Sequence, residues 1–169
     1  MGVTLSNGKE ITLYSTRFVH LFLGIKGQAK ELTHFQNGEA FSSQPTGATT
    51  TMQGDFHSNA DFFESEDSTG SFTINTTPAS ETTRIMGKIY HYQHDSVTPA
   101  IDRDDFFTLM ATNDLTGEKV TGEGCRISGY PNQPAQEAAW AYAWNVLCGY
   151  YKIEWADPTD PLFNTLKVA

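Results

Sequence analysis

Apolar and polar positions alternate with period two over most of the chain, and one stretch alone carries a helical period. The strongest signal is residues 138–155, AAWAYAWNVLCGYYKIEW, which hold all three tryptophans. At period two, Trp140, Tyr142, Trp144, Val146, Cys148 and Tyr150 share one face. Ala139, Ala141, Ala143, Leu147, Tyr151, Ile153 and Trp155 share the other. A strand that is apolar on both faces has to be covered on both, by a second sheet, a helix or another subunit. The alanines would also suit a helix over 136–147. Gly149 and the run Tyr150-Tyr151-Lys152-Ile153 favour extended chain, so the pattern predicts one long strand over 138–155 with a bend at Gly149.

Residues 14–23 predict a strand with Phe18, His20 and Phe22 opposite Val19, Leu21 and Leu23. Residues 24–27 turn the chain, and 28–35 return as its partner. Residues 36–54 are mostly Gly, Ser, Thr and Gln, which predicts a long excursion. Residues 55–64 and 71–77 predict a hairpin closed by SEDSTG at 65–70. In its second strand Phe72 and Ile74 point one way, and Ser71, Thr73, Asn75 and Thr77 the other. Pro78 stops that strand and Ser80 can cap a helix over 80–94, whose apolar stripe is Ile85, Met86, Ile89 and Tyr90. Strands follow at 106–112 and 118–128 around the turn NDLTG, and GYPNQP makes a corner before the last strand. An arm at 1–12 and a tail at 156–169 flank a single domain spanning 1–169. The fold class is mostly β: an antiparallel β-sandwich or barrel with one flanking α-helix (about 80–94) and a long loop (about 36–54).

Charge changes the picture in one place. The formal net charge is −9, and residues 31–83 hold eight acids and no Lys or Arg. Such a chain is unsuited to gripping nucleic acid through a basic surface. Two cysteines, Cys125 and Cys148, make no disulfide framework and read as buried free thiols, with a single bridge as the alternative. No apolar run approaches the length of a membrane span. Candidate chemistry is thin. His91 and His94 lie three apart on a helix without a defined third ligand, which suits helix-end histidines better than zinc. Asp102, Asp104 and Asp105 lack calcium-loop spacing and read as solvated charge. No nucleophile elbow, P-loop or dinucleotide fingerprint occurs. The pattern points to no enzyme, no metal and no cofactor.

Residues 70–93 (GSFTINTTPASETTRIMGKIYHYQ) resemble the strand and following helix of bacteriophage tail tube proteins. Thr76-Thr77-Pro78-Ala79 stands at that family's corner, and Met86, Tyr90 and Gln93 occupy its helical stripe, with Thr83 where asparagine is more usual. NDLTGEKVTGEGCRISGYP (113–131) is similar to its turn, strand and proline corner, and Lys152-Ile153-Glu154-Trp155 to its closing strand. The resemblance implies a virion structural protein of the tail, assembled in the bacterial cytoplasm. Subunits would form hexameric rings stacked into a tube that conducts the DNA genome without binding it specifically. The implied partners are further copies of the chain, a sheath if the tail contracts, and baseplate and terminator proteins, with no membrane. A tube subunit of a related contractile injection particle shares the fold, and a monomeric β-sandwich ligand-binding module is the alternative of another class.

Under the tail-tube reading, Trp140, Tyr142, Trp144, Tyr150, Tyr151, Trp155, Phe18 and Phe22 are expected at the subunit interface. Phe41, Thr46, Thr50 and Met52 are expected in a ring-stacking loop. Glu64, Glu66, Asp67, Ser71, Thr73 and Asn75 are expected at the lumen or its rim, where acidity would repel phosphate.

Overall fold

The computed structural model describes residues 2–4, 10–12, 16–36, 38–57, 59–94, 105–131, 141–163 and 166. The chain is mostly antiparallel β. Its described elements are β1 (Gly2–Thr4), β2 (Glu10–Thr12), β3 (Val19–Ile25), β4 (Gln28–Leu32), β5 (Phe41–Pro45), β6 (Thr50–Gly54), β7 (Ala60–Glu64), β8 (Gly70–Thr76), α1 (Glu81–His94), β9 (Phe107–Asn113), β10 (Glu118–Ile127) and β11 (Tyr142–Glu154). Seven strands form one sheet in the order β4-β3-β9-β10-β11-β8-β5, while β1–β2 and β6–β7 are separate two-stranded ribbons.

The sheet curls around one core. Its concave face carries Leu21, Leu23, Phe107, Leu109, Ile127, Trp144, Val146, Phe72 and Ile74, all buried. At one end the curl brings Phe41, Ser42 and Ser43 of β5 opposite Val19, Ala111 and Val120, so the sheet's two halves face each other as the layers of a sandwich. At the other end α1 flanks the sheet and lays Met86 and Ile89 on the core. The helix is fixed where it starts. Ser80 accepts a hydrogen bond from the Thr83 N–H at 3.2 Å and donates to the Thr77 carbonyl at 2.8 Å. Ala79 takes a left-handed φ of 57° at the corner. Thr82 bonds the Thr33 carbonyl, which ties the helix to the segment after β4. Trp144 Nε1 donates to Thr76 Oγ1 at 3.2 Å, satisfying the indole inside the core.

The helix and the strands over 19–25, 107–113 and 118–127 agree with the sequence pattern, but three expectations change. The 55–64 and 71–77 strands are not a hairpin: β7 pairs with β6, and β8 lies between β11 and β5. The 36–54 stretch is not one loop, because β5 and β6 occupy it on either side of residues 46–49. Its strands were hidden by hydroxyl-bearing and Gln side chains, which pair through backbone and need no apolar alternation at an edge. The last strand also starts later, at Tyr142, and Tyr150 does not share the face of Trp144.

That parity change comes from paired glycines. Register runs unbroken from Lys119↔Glu154 to Ile127↔Val146, so Gly124 stands opposite Gly149. Against β9 the register of β10 slips by one residue between Gly122 and Cys125, a bulge with Gly124 at φ 61°. Both strands change parity there. Trp144, Val146 and Cys148 face inward before the bulge, and Tyr151 packs against the core beyond it, leaving Tyr150 outside.

Candidate assembly surfaces

The polar face read from the sequence lies on the outside of the sheet. Ser71, Thr73 and Asn75 of β8 point outward while Phe72, Ile74 and Thr76 fill the core. Neighbouring outward groups extend the wall: Thr73 Oγ1 donates to Asn145 Oδ1 at 3.2 Å, and Asn75 Nδ2 donates to the Glu39 carbonyl at 2.9 Å. This face therefore carries hydroxyls and amides whose hydrogen bonds are largely met within the chain.

From one end of that wall the β6–β7 ribbon projects. Every residue of both strands is exposed, and the two pair only with each other in the described sheet order. Met52 and Phe62 sit directly opposite on one face, and Thr51 and Phe63 on the other. Phe56 at the tip is 97% exposed and Phe62 68%. This apolar surface is exposed on a two-stranded ribbon, an element that is marginal on its own in water. The tip is nonetheless well formed. One carboxylate oxygen of Asp55 accepts from the N–H groups of His57 and Asn59, each at 2.8 Å, and the other accepts from Asn59 Nδ2 at 2.8 Å. The Asn59 amide leads in holding Asp55 below the usual carboxylate range. At the ribbon's base, the N–H and hydroxyl of Thr69 do the same for Asp67, at 2.9 and 2.7 Å. Glu64 ends β7, and Glu66 lies exposed in the 65–69 segment. Met52 and Thr50 belong to this ribbon, Thr46 lies at its root, and Phe41 belongs to β5, packed on the core.

The aromatic residues expected at an interface divide. Trp144, at 4% exposure, closes the protomer's own core and is unavailable to a neighbour. Tyr151 is also turned inward: its ring stacks edge-on to Phe72 at 6.0 Å and its hydroxyl donates to Ser43 Oγ at 2.9 Å. Tyr142 packs against the core. Phe18 is half-buried beneath Arg17, and Phe22 half-buried beside His20. Tyr150 and Trp155 are exposed, the latter by 69%. Trp140 lies outside the described residues, as do Asp102 and Asp104.

Asp105, read as solvated, is built into the structure, and His94, exposed at the helix end, makes contacts there. Asp105 is fully buried and ion-paired with Arg126 at 3.6 Å, and Arg126 Nη2 donates to the Gln93 carbonyl at 2.8 Å. His94 Nε2 lies 3.0 Å from the Ile127 carbonyl and its ring stacks on Tyr90 at 4.4 Å. Gln93 itself is buried, with Nε2 donating to the carbonyls of Asp105 and Cys125 and Oε1 accepting from the Ile127 N–H. These side chains fasten the helix C-terminus to β10. Among the described residues no group of three His, Cys, Asp or Glu could hold a metal ion, and no helix is long and apolar enough to cross a membrane.

The architecture is that of a tail-tube-like fold: a curled antiparallel sheet, one flanking helix and a projecting ribbon. Among the solved structures similar to it in overall fold are the following three. The anti-feeding prophage cap, described as the AFP tube terminating cap, matches with a TM-score of 0.50 and 11% identity, over 91% of this chain and 100% of that one. The sheath/tube terminator of an extracellular contractile injection system, PVC, in its extended state matches with 0.52 and 10%, over 85% and 98%. A chain of the anti-feeding prophage baseplate, 6-fold symmetrised, matches with 0.53 and 8%, over 85% and 97%. At these identities the likeness is one of fold. No protein-family model matches the chain, and comparison with curated proteins finds no match.

Proposed function

We propose that this chain is a structural subunit of a phage-tail-like tube, built from homo-hexameric rings stacked end to end. The observation that carries the reading is the β6–β7 ribbon. It exposes Met52, Phe56, Phe62 and Phe63 on a fold otherwise found in tube caps, terminators and baseplates. An arm that cannot bury its apolar face within its own protomer is completed by a neighbour. Tyr150, Trp155 and Phe22 supply further contact surface, while Thr46, Thr50 and Met52 take part in stacking through the ribbon and its root. The wall of Ser71, Thr73 and Asn75 faces the lumen, with Glu64, Glu66 and Asp67 at its rim. Phosphate chains passing uncharged hydroxyls and charged acids find no cation to release counterions against, so duplex DNA slides without sticking. Sheath, baseplate and terminator proteins are the partners of such a tube, within a particle or virion tail. The whole chain acts as one unit, with residues 1–12 as an arm and 156–169 as a tail.

A second reading, an end cap rather than a repeating tube subunit, is favoured by the near-complete coverage of the cap and terminator chains. Electron microscopy of the purified protein separates the two. Tubes of indefinite length support the repeating subunit, single rings support the cap, and a protein monomeric at high concentration excludes both. Joining Thr49 to Ser65 through two glycines, in place of 50–64, should leave a folded chain that no longer assembles. The ribbon ends are already bonded there, Ser65 N–H to Thr49 carbonyl at 2.7 Å.

A further inference from the structure

Between α1 and the β3–β4 edge lies an open cleft of about 450 Å³, lined by Leu23, Ile25, Ala29, Ile85 and Ile89. It continues past Ile25 and Ile89 to Tyr92. The floor is apolar and the margins are basic. Lys30 and Lys88 line the cleft, Lys26 lies on its continuation over the Tyr92 ring, and Arg84 stands exposed on the same helix. Glu81 is the acid lining the cleft, and it already lies within 4.0 Å of both Lys30 and Arg84. In a chain of net charge −9, three of the 11 basic residues therefore line one groove and its continuation.

The β6–β7 ribbon has the reverse character. It presents Met52, Phe56, Phe62 and Phe63 together with Asp55, Asp61 and Glu64, and no Lys or Arg occurs anywhere between Glu31 and Thr83. We infer that the α1–β4 cleft of one copy receives the acidic, aromatic β6–β7 ribbon of another. The charge complementarity selects this occupant: apolar rings meet the isoleucine floor, and ribbon carboxylates meet the lysine margins. Strand β4 is the edge of the sheet among the described residues and lies beside the cleft, where an extended segment can be added. Ribbon and cleft are different surfaces, so the contact is heterologous and must either close into a ring or propagate as a stack. The inference rests on the assembly reading above and assigns the receiving surface within it.

The test compares wild type with two charge-reversed variants, Lys30→Glu/Lys88→Glu in the cleft and Asp61→Lys/Glu64→Lys on the ribbon. All are assessed by sedimentation velocity, negative-stain microscopy and circular dichroism. Each variant alone should remain unassembled with an unchanged fold, because like charges then face each other. An equimolar mixture should assemble, since the reversed cleft of one variant meets the reversed ribbon of the other, and the native cleft of the second meets the native ribbon of the first. A variant that assembles as wild type does, or a mixture that fails to recover, overturns the docking while leaving assembly intact. A wild-type protein that never assembles overturns the assembly reading, and the docking with it. If a reversed variant misfolds, the neutral pair Lys30→Gln/Lys88→Gln and Asp61→Asn/Glu64→Gln decides: weaker assembly with a flatter salt dependence supports the docking, and unchanged assembly rejects it.

Discussion

Cys125 and Cys148 stand directly opposite each other across β10 and β11, with Sγ atoms 2.9 Å apart and both side chains buried. They are free thiols in contact, next to the Gly124–Gly149 bulge. The shared hydrogen bond, then burial, pushes the Cys125 thiol well above its ordinary range. Native protein at pH 8 should therefore leave both thiols unreactive toward Ellman's reagent, and both should react after unfolding, because only the exposed thiolate attacks. The same hydrogen bond holds Cys148 below its ordinary range, so the folded pair keeps one proton tightly, and stability should fall above about pH 9, the ordinary thiol value. There the unfolded chain ionises Cys125 while the folded chain still holds the proton, at up to about 1.4 kcal/mol per pH unit for one proton. Urea titrations from pH 7 to 10.5 check this, with Cys125→Ala expected to flatten the alkaline limb.

Gly122 should tolerate no side chain. A Cβ there would lie 2.7 Å from Cys148 Sγ and 2.8 Å from Phe72 Cε2, both fixed in the core. Gly122→Ala should cost about 1–3 kcal/mol by overpacking, lowering Tm by about 2–4 °C per kcal/mol in a domain of this size. Gly47, whose Cβ would meet nothing within 4 Å, is the control. A thermal melt of Gly122→Ala that overlays wild type would show that the sheet opens there.

Gln93→Leu should be among the costlier substitutions. It keeps the volume but strips partners from the carbonyls of Asp105 and Cys125 and the N–H of Ile127. Each buried backbone group left unmet costs about 1–3 kcal/mol, so a loss of at least about 3 kcal/mol is expected in urea unfolding. Amide exchange at Ile127 should speed up before the rest of β10.

His20 is flanked by two acids on the outer sheet face, with Nδ1 2.6 Å from Glu31 and Nε2 3.3 Å from Asp114. The Glu31 hydrogen bond leads in raising its pKa above 6.5. The folded state thus holds the proton more tightly than the unfolded state. Its stabilising effect is complete below pH 6.5 and is lost as pH rises through the raised folded value. An NMR titration of the imidazole should show the elevated midpoint, and Glu31→Gln should move it back toward 6.5.

The sequence by itself determined what depends on local pattern. Pro78, the Ser80 cap and the Ile85–Ile89 stripe specify α1 within a residue of its ends, because a helix is closed by bonds between near neighbours. The alternation of Phe72 and Ile74 with Ser71, Thr73 and Asn75 specifies which face of β8 is buried, since pleating leaves no choice. Tertiary structure alone decided which strands pair. β8 lies between β5 and β11, and β7 turns back on β6, because backbone hydrogen bonding is the same for every residue and adjacency in sequence is only a preference. Likewise the period-two reading of 142–154 holds only to Gly149. The bulge opposite Gly124 sends Tyr151 inward and Tyr150 out, an inversion that requires two glycines 25 residues apart to meet across a sheet. The burial of Asp105 beside Arg126, and the exposure of Phe62 on a ribbon with no cover of its own, are decided the same way: by where distant strands end, not by the residues next door.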